Sequence, residues 1–355
     1  MPTKPKNVVY LWGAGATHAE VQDLGLSLLM RDTPAFGVGI TRRILARVAD
    51  KSISEFDVGQ EVDIEKLISL FAASGKEKHV KLAERLRRGY FAELVQSLDR
   101  VRLLGGPPLA SKLLRMHADP QFSAETEKLV CILTTNHDGL LQIASRDVYK
   151  GVALGLEFAS KTFEAEESAP PILQLHGSFT WHFGLPMSVE PLSENSKYSD
   201  TVWIPPTILK ESKTFPFNKL AAKAYEVLSR NCDVLRVVGT SLTQNDWNIL
   251  SLIFNAQRHR DATRKKAFQI ELIMPMHAGE SIKRECAYLK NVRSIGHITD
   301  GDFVDYLPWA HKAPDATSNL ANPLAYWLEQ KITFHRLDLE NAPAVPRPEQ
   351  VAGAA

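Results

Sequence analysis

The sequence predicts an α/β fold: a Rossmann-like, mostly parallel sheet with helices on both faces and a helical insertion. Short apolar runs recur along the chain, and such runs are typical of strands buried on both faces. Helical patterns separate most of these runs, and this alternation is typical of parallel sheets. The runs lie at residues 7–12, 129–135, 172–176, 234–239 and 270–274.

The long gap between the first two runs predicts the insertion, which we place at residues 37–125. One helix begins near Asp63-Ile64-Glu65, and another should end before Gly105. Along the second helix an apolar residue recurs at every fourth position, as Leu82, Leu86, Tyr90, Leu94 and Leu98. Helices of globular proteins bury one face, so we expect this stripe to pack internally rather than to receive a partner.

Composition excludes several classes of protein. The 355 residues carry 42 Lys and Arg against 41 Asp and Glu, a net charge of +1. This balance provides no global attraction to nucleic acid or to anionic membranes, and the basic run at 259–266 is typical of a solvated helix end. The N-terminal residues do not resemble a secretory signal, and no apolar stretch approaches the ~20 residues of a membrane span. We therefore expect a cytoplasmic protein.

The three cysteines predict no metal centre. Cys131, Cys232 and Cys286 lie far apart, and none belongs to a Cys-x-x-Cys pair. A disulfide framework and a four-cysteine zinc site are therefore not expected.

The first candidate site motif is Gly13-Ala14-Gly15-Ala16-Thr17, directly after the first predicted strand. Small residues there allow backbone N–H groups to approach a phosphate at the start of the next helix. A full dinucleotide motif would have glycine at position 18, where this chain has His18. Many tight strand-to-helix turns carry two glycines without a ligand, so both readings stay open.

The second motif is Thr134-Thr135-Asn136-His137-Asp138, at the end of the second strong strand. Ligands of open parallel sheets bind beyond the carboxyl ends of the strands, where Asn136 and Asp138 would point the same way on an extended chain. The alternative is that one of the two side chains caps the helix that opens at Gly139.

Two further motifs end later strands. In Leu175-His176-Gly177-Ser178, the histidine is a candidate general base near neutral pH or, alternatively, a structural residue bonded to backbone. His182 is a weaker candidate that we expect to lie past the pocket. In Val237-Val238-Gly239-Thr240-Ser241, the hydroxyls suit ribose or phosphate, although the segment could simply precede a helix capped near Asp246.

Together, in this order, the four motifs resemble the sirtuin family over roughly residues 7–300. The resemblance is closest to the bacterial sirtuin-like NAD hydrolases of anti-phage defence, which carry a helix similar to Asp63-Ile64-Glu65. It implies that NAD is a substrate. It also implies an NAD-binding domain at residues 1–310, which we expect to be followed by a C-terminal helical segment at 311–339. Residues 340–355 are rich in Pro and Ala and lack periodicity, so we expect a mobile tail there.

The resemblance also implies roles for individual residues. Asn136 would hold the nicotinamide ribose and the attacking water, Asp138 the carboxamide, and His176 would be the general base. The residues that would contact the rest of NAD are Gly13, Ala14, Gly15, Thr17, Thr135, Gly239, Thr240 and Ser241.

Departures from the family weaken protein deacylation as the activity. Deacylating sirtuins have a zinc ribbon and a Phe-Gly-Glu peptide clamp, whereas the comparable segment at 202–207 contains two prolines and does not match. His137 stands where Tyr or Ile is common, and the strand end near Met274 lacks an Asn that often binds the adenosine ribose.

We therefore expect NAD hydrolysis to nicotinamide and ADP-ribose. The alternatives are NAD-dependent deacylation or ADP-ribosyl transfer, and a sensor that binds NAD or ADP-ribose without turnover. Because unregulated hydrolysis would harm the cell, we expect activation by homo-oligomer assembly or by a sensor protein encoded nearby. Candidate contact regions are the helical layer before residue 125 and the surface around Tyr326-Trp327-Leu328.

Overall fold

The fold is seen in a computed structural model of the chain. It describes residues 4–24, 43–45, 47–48, 64–103, 106–156, 159–160, 168–183, 187–189, 197–207, 210, 213–240, 242, 246–263, 265–274, 276–295, 322–337 and 339. Asp63, Ser241 and the tail at 340–355 lie outside the described residues.

A six-stranded parallel sheet forms the centre of the structure. Its strands are β1 (Lys6–Trp12), β2 (Glu127–Thr134), β4 (Ile172–Gln174), β8 (Val234–Val238), β9 (Gln269–Ile273) and β10 (Val292–Ile295). The first five strands match the five predicted apolar runs, and β10 was not predicted. Helices cover the sheet, so the α/β Rossmann-like fold class is confirmed.

The order of strands in this sheet predicts where a ligand would bind. The order is β4-β2-β1-β8-β9-β10, which is 3-2-1-4-5-6 when the six strands are numbered along the chain. This is the order of dinucleotide-binding folds, in which the chain reverses direction across the sheet between the first and fourth strands. Ligands bind outside the carboxyl ends of the strands at that point. Here those two strands are β1 and β8.

The helices of the described chain lie before, between and after these strands. They are α1 (Ala14–Asp23), α2 (Ile64–Ala73), α3 (Glu77–Leu103), α4 (Pro108–Ala118), α5 (Pro120–Glu125), α6 (Leu140–Tyr149), α7 (Phe217–Asn231), α8 (Trp247–Ala262), α9 (Met276–Glu285) and α10 (Pro323–His335). Among the described residues, no helix is both long and apolar enough to cross a membrane.

A second, smaller sheet lies beside the central one. Its strands are β3 (Ala159–Ser160), β5 (Gly177–His182), β6 (Ser188–Val189) and β7 (Thr201–Trp203), in the order β3-β6-β5-β7. The chain passes from β4 of the central sheet to β5 of this sheet through a turn at residues 175–176. That turn contains His176, so the two sheets meet at a candidate site residue.

Two apolar clusters hold the described residues together. The larger surrounds the central sheet and includes α4 and α5. The smaller joins α2 and α3 to Phe179 of β5, Trp203 of β7 and Leu140 of α6. Leu82 and Leu86 are buried in it, so the expectation that the α3 stripe packs internally is confirmed at those positions. The division into domains stays a prediction.

The C-terminal helix α10 packs on the central sheet over buried charges. Arg236 of β8 donates to both oxygens of Glu127, and Lys331 of α10 donates to the same carboxylate. The Arg236 guanidinium also lies 4.9 Å from the ring centre of Trp327. Tyr326, Trp327 and Leu328 are themselves buried in the core, so these three side chains do not form a partner surface; a contact through the surface around them stays a prediction. Their apolar side chains pack against the central sheet.

Candidate active site

The turns after β1 and β8 are in direct backbone contact. Gly13 N donates to Val238 O at 2.9 Å, and Gly15 N donates to Gly239 O at 2.8 Å. A Cβ on Gly13 would lie 1.9 Å from Thr240 Oγ1, and one on Gly15 would lie 2.8 Å from Gly239 O. The two glycines of the first motif are therefore explained by contact between the turns. The amide of Gly15 is used in that contact rather than offered to a phosphate.

One polar group at this junction has no protein partner among the described residues. The Thr240 hydroxyl is buried, with the residue 4% exposed, and its Oγ1 makes no hydrogen bond. It lies beside the N-terminus of α1, which begins at Ala14 without a side-chain cap. A buried hydroxyl left unpaired is unfavourable, and a helix N-terminus attracts anions. The junction is therefore the place where we expect a ribose or phosphate oxygen to bind.

Asn136, Thr17 and Asp138 form a chain of hydrogen bonds below this junction. Asn136 Nδ2 donates to Thr17 Oγ1 at 2.9 Å and to Gly13 O at 3.0 Å. The Thr17 hydroxyl in turn donates to Asp138 Oδ2 at 2.8 Å. Because both N–H groups of the Asn136 amide are used, its Oδ1 is the atom that can orient a water or ribose hydroxyl. The structure thus brings together three predicted site residues from the first two motifs.

Local backbone geometry explains the position of this chain. Thr134 Oγ1 donates to Trp12 O at 2.8 Å and accepts from Asn136 N at 3.0 Å, which turns the chain as it leaves β2. On the other side, Gln174 Nε2 donates to Asp138 O at 2.9 Å and so ties the segment to β4. The sequence did not identify Thr134 and Gln174 as positioning residues. A threonine or a glutamine takes this role only through the backbone groups that it bonds to, and the sequence does not reveal those groups.

The capping alternative for Asp138 is realised as well. Its Oδ1 accepts from Leu140 N at 3.1 Å at the start of α6. Burial raises the pKa of Asp138, while the bonds from Thr17 and Leu140 oppose that rise. A carboxylate has about four lone-pair positions, so the two bonds leave acceptor capacity for a ligand amide.

His176 lies at the neighbouring strand end and is 2% exposed. Its Nε2 lies 3.3 Å from Asn248 Nδ2 of α8, and its ring is bonded to the backbone of Thr135. Burial is the largest cause that holds the pKa of His176 well below its usual range, and the Lys210 ammonium acts in the same direction. The imidazole is therefore neutral at physiological pH, as a general base must be.

His137 joins the site to the smaller apolar cluster. Its ring stacks on Phe179 with centroids 5.2 Å apart, meets Trp203 edge-on at 5.1 Å and lies 6.3 Å from the His176 ring. Burial, followed by Lys210, lowers the pKa of His137 to about 3. The sequence left this residue unexplained; the structure shows it packing as a neutral aromatic ring.

Lys210 is a charged residue of the site that the sequence did not reveal. Its Nζ lies 3.2 Å from Glu65 Oε1 of α2 and 3.2 Å from Asp246 Oδ1, just before α8. Burial alone would lower the pKa of Lys210, but the two carboxylates more than offset it and the net shift is upward. Asp246 therefore pairs with a partly buried cation, and it makes no side-chain capping bond to α8. Glu65 gives the early Asp63-Ile64-Glu65 motif a link to the site.

Within the described residues, no group of three or more His, Cys, Asp or Glu side chains could hold a metal ion. The three cysteines are free and buried.

Comparison with known families agrees with the strand-end motifs. Residues 130–295 match the family model described as "SIR2-like domain". The match supports a sirtuin-like family and an NAD-related activity. It covers the second, third and fourth motifs, whereas the Gly13 turn lies before it. A search of curated proteins finds no match to the chain.

Proposed function

We propose that this protein hydrolyses the bond between nicotinamide and ribose in NAD. The observation that carries the proposal is the hydrogen-bonded chain of Asn136, Thr17 and Asp138 beside a buried, neutral His176 at the carboxyl ends of adjacent strands. A protein that only binds a nucleotide has little need of a neutral, buried imidazole such as that of His176. It has equally little need of an amide such as that of Asn136, whose oxygen is available to orient a water.

The proposed reaction balances without a further reactant. The C–N bond breaks, and its electron pair leaves with nicotinamide, which becomes neutral. The ribose carbon acquires oxocarbenium character, as in glycoside hydrolysis, and is captured by water. His176 takes the proton released by the water, directly or through a ribose hydroxyl. Asn136 Oδ1 orients the water, and Asp138 holds the carboxamide.

The remaining contacts to NAD belong to the β1–β8 junction. The unpartnered Thr240 hydroxyl and the N-terminus of α1 would meet the ribose or diphosphate, together with Ala14, Thr17 and Thr135. Gly13, Gly15 and Gly239 act by allowing the two turns to approach. Ser241 keeps its proposed role at the adenosine side.

The test measures nicotinamide released from NAD by the purified full-length chain and by its Asn136→Ala and His176→Ala variants. Loss of the base should lower turnover by about a hundred- to ten-thousand-fold. His182→Ala is the matched control, because His182 lies at the far end of β5 and is partly exposed; its rate should equal that of the wild type. Wild-type rates in both site variants would refute the assignment.

The products separate this activity from the alternatives. Free ADP-ribose without an acyl acceptor supports hydrolysis, whereas acylated ADP-ribose or a modified protein would support deacylation or transfer. Calorimetric binding of NAD without nicotinamide release from any assembly state would support a sensor.

We further propose a role in bacterial anti-phage defence, with NAD depletion switched on by homo-oligomer assembly or by a partner sensor. The layer formed by α2 and α3 is the proposed contact region, and it exposes Leu70 and Val80. The isolated, dilute chain should be nearly inactive. The rate per chain should rise steeply with protein concentration or on addition of the partner.

A further inference from the structure

The start of α8 places an amide against the proposed base. Asn248 Nδ2 lies 3.3 Å from His176 Nε2, and Asn248 Oδ1 accepts from the backbone N–H of Ile249 at 3.0 Å. A backbone N–H can only donate, so the atom of the amide that faces it must be the oxygen. The amide nitrogen therefore faces the imidazole, and the orientation of the side chain follows from its neighbours.

This orientation determines which nitrogen of His176 carries the proton. An amide nitrogen is only a donor, so Nε2 must accept. In a neutral ring the other nitrogen, Nδ1, then carries the proton. The contact with Asn248 therefore selects the tautomer of the ring.

We propose that Asn248 is a positioning residue that holds His176 in the tautomer whose Nε2 lone pair can accept a proton from the substrate. The inference rests on the proposed function. In the free protein the amide of Asn248 satisfies Nε2. When NAD is bound, a ribose hydroxyl or the attacking water takes over as the donor to Nε2, and the proton moves to that atom. Asn248 thus prepares the base in the free protein and gives up its contact with Nε2 when the substrate binds.

The charges around the ring come from several elements. His137 lies on the segment after β2, and Lys210 lies between β7 and α7 with Glu65 of α2 and Asp246 as its partners. Lys210 disfavours a second positive charge on His176. A carboxylate at position 248 would act oppositely, because a neighbouring anion favours the charged imidazolium.

The experiment compares Asn248→Asp and Asn248→Ala with Asn255→Asp. Asn248 and Asn255 lie on the same helix and line the same surface groove of about 610 Å³. Asn255 is exposed and bonds only to Ser251 in the part of the chain described, at 3.2 Å, so its substitution is the matched control. Two readouts are used: ¹⁵N NMR of the His176 ring, assigned with a His176→Gln variant, and the pH profile of kcat/KM for NAD.

The wild-type ring should show a protonated Nδ1 and an unprotonated Nε2. Asn248→Asp should protonate Nε2 and move the acid limb of the profile upward by about 1–3 pH units. Asn248→Ala should lower kcat about 2- to 10-fold with little change in KM, as expected for one lost hydrogen bond. Asn255→Asp should change neither readout.

A protonated Nε2 in the wild-type protein would overturn the proposal, and so would an Asn248→Asp variant whose ring spectrum matches the wild type. The NMR arm needs no turnover. Absence of nicotinamide release would therefore contradict only the proposed function. The NMR spectrum of the His176 ring would still show whether Asn248 fixes its tautomer.

Discussion

The contact between the β1 and β8 turns can be tested by adding a single methyl group. Gly239 has φ +59°, and a Cβ there would lie 2.2 Å from Ala16 N and 2.4 Å from Gly15 C. Both atoms are backbone, so the turns must separate to accommodate alanine. Gly75 is the matched control, because its φ is +70° and a Cβ there would meet nothing within 4 Å.

Both substitutions place alanine in the left-handed backbone region, but only Gly239→Ala also forces the new Cβ against neighbouring backbone atoms. Alanine in the left-handed region costs about 1–2 kcal/mol, partly offset by about 0.4–1 kcal/mol from the less flexible unfolded chain. Gly75→Ala should therefore lower the free energy of unfolding by about 1 kcal/mol. Gly239→Ala adds an overpacking penalty of about 1–3 kcal/mol, for a total of about 2–4 kcal/mol.

Urea denaturation with linear extrapolation measures both losses, and calorimetry measures NAD affinity in parallel. Gly239→Ala should also weaken NAD binding, since the Thr240 hydroxyl moves with its turn, whereas Gly75→Ala should leave the affinity unchanged. Equal losses of stability in the two variants would refute the close-contact reasoning. Unchanged NAD affinity in Gly239→Ala would argue against ligand binding at the junction.

Two further predictions concern buried charges away from the junction. Glu127→Gln should destabilise the protein by about 3–5 kcal/mol in urea denaturation, because it removes the carboxylate that two buried cations share and leaves Arg236 paired with Glu271 alone. Glu329→Gln, which removes an exposed ion pair, should change stability by less than about 1 kcal/mol. Burial raises the pKa of Glu20 from 4.5 to about 8, so the folded state binds more protons than the unfolded state between these values. The free energy of unfolding should therefore fall as pH rises through this window, by at most ~1.4 kcal/mol per pH unit, and Glu20→Gln should remove this dependence.

The result that would contradict each prediction is specific. Similar losses in the Glu127 and Glu329 variants would show that the charge cluster under α10 is not effectively buried. A pH dependence that persists unchanged in Glu20→Gln would assign the titration to another group. Because Glu20 accepts from Leu109 N and Ala110 N at the start of α4, the overall stability of that variant is expected to fall as well.

The strands and the site motifs could be predicted from the sequence because their signals are local. A run of apolar residues ending in glycine, as before Gly13, is typical of a buried parallel strand whatever lies beside it. Asn136, Asp138 and His176 stand directly after such runs, so their positions at strand ends followed from the same pattern. Parallel strands end at one edge of a sheet, and this explains why the candidate residues were expected in one region.

Which residues meet there was decided only by the tertiary structure. Gly13 and Gly239 are far apart in sequence, and their contact depends on β1 pairing with β8. Lys210 and Asn248 carry no local signal, since a single lysine or asparagine becomes a site residue only through the partners that the fold brings to it. The segment at 326–328 shows the same limit. Its apolar side chains are compatible with a buried core or with an exposed interface. Only the structure shows that they are buried against the central sheet.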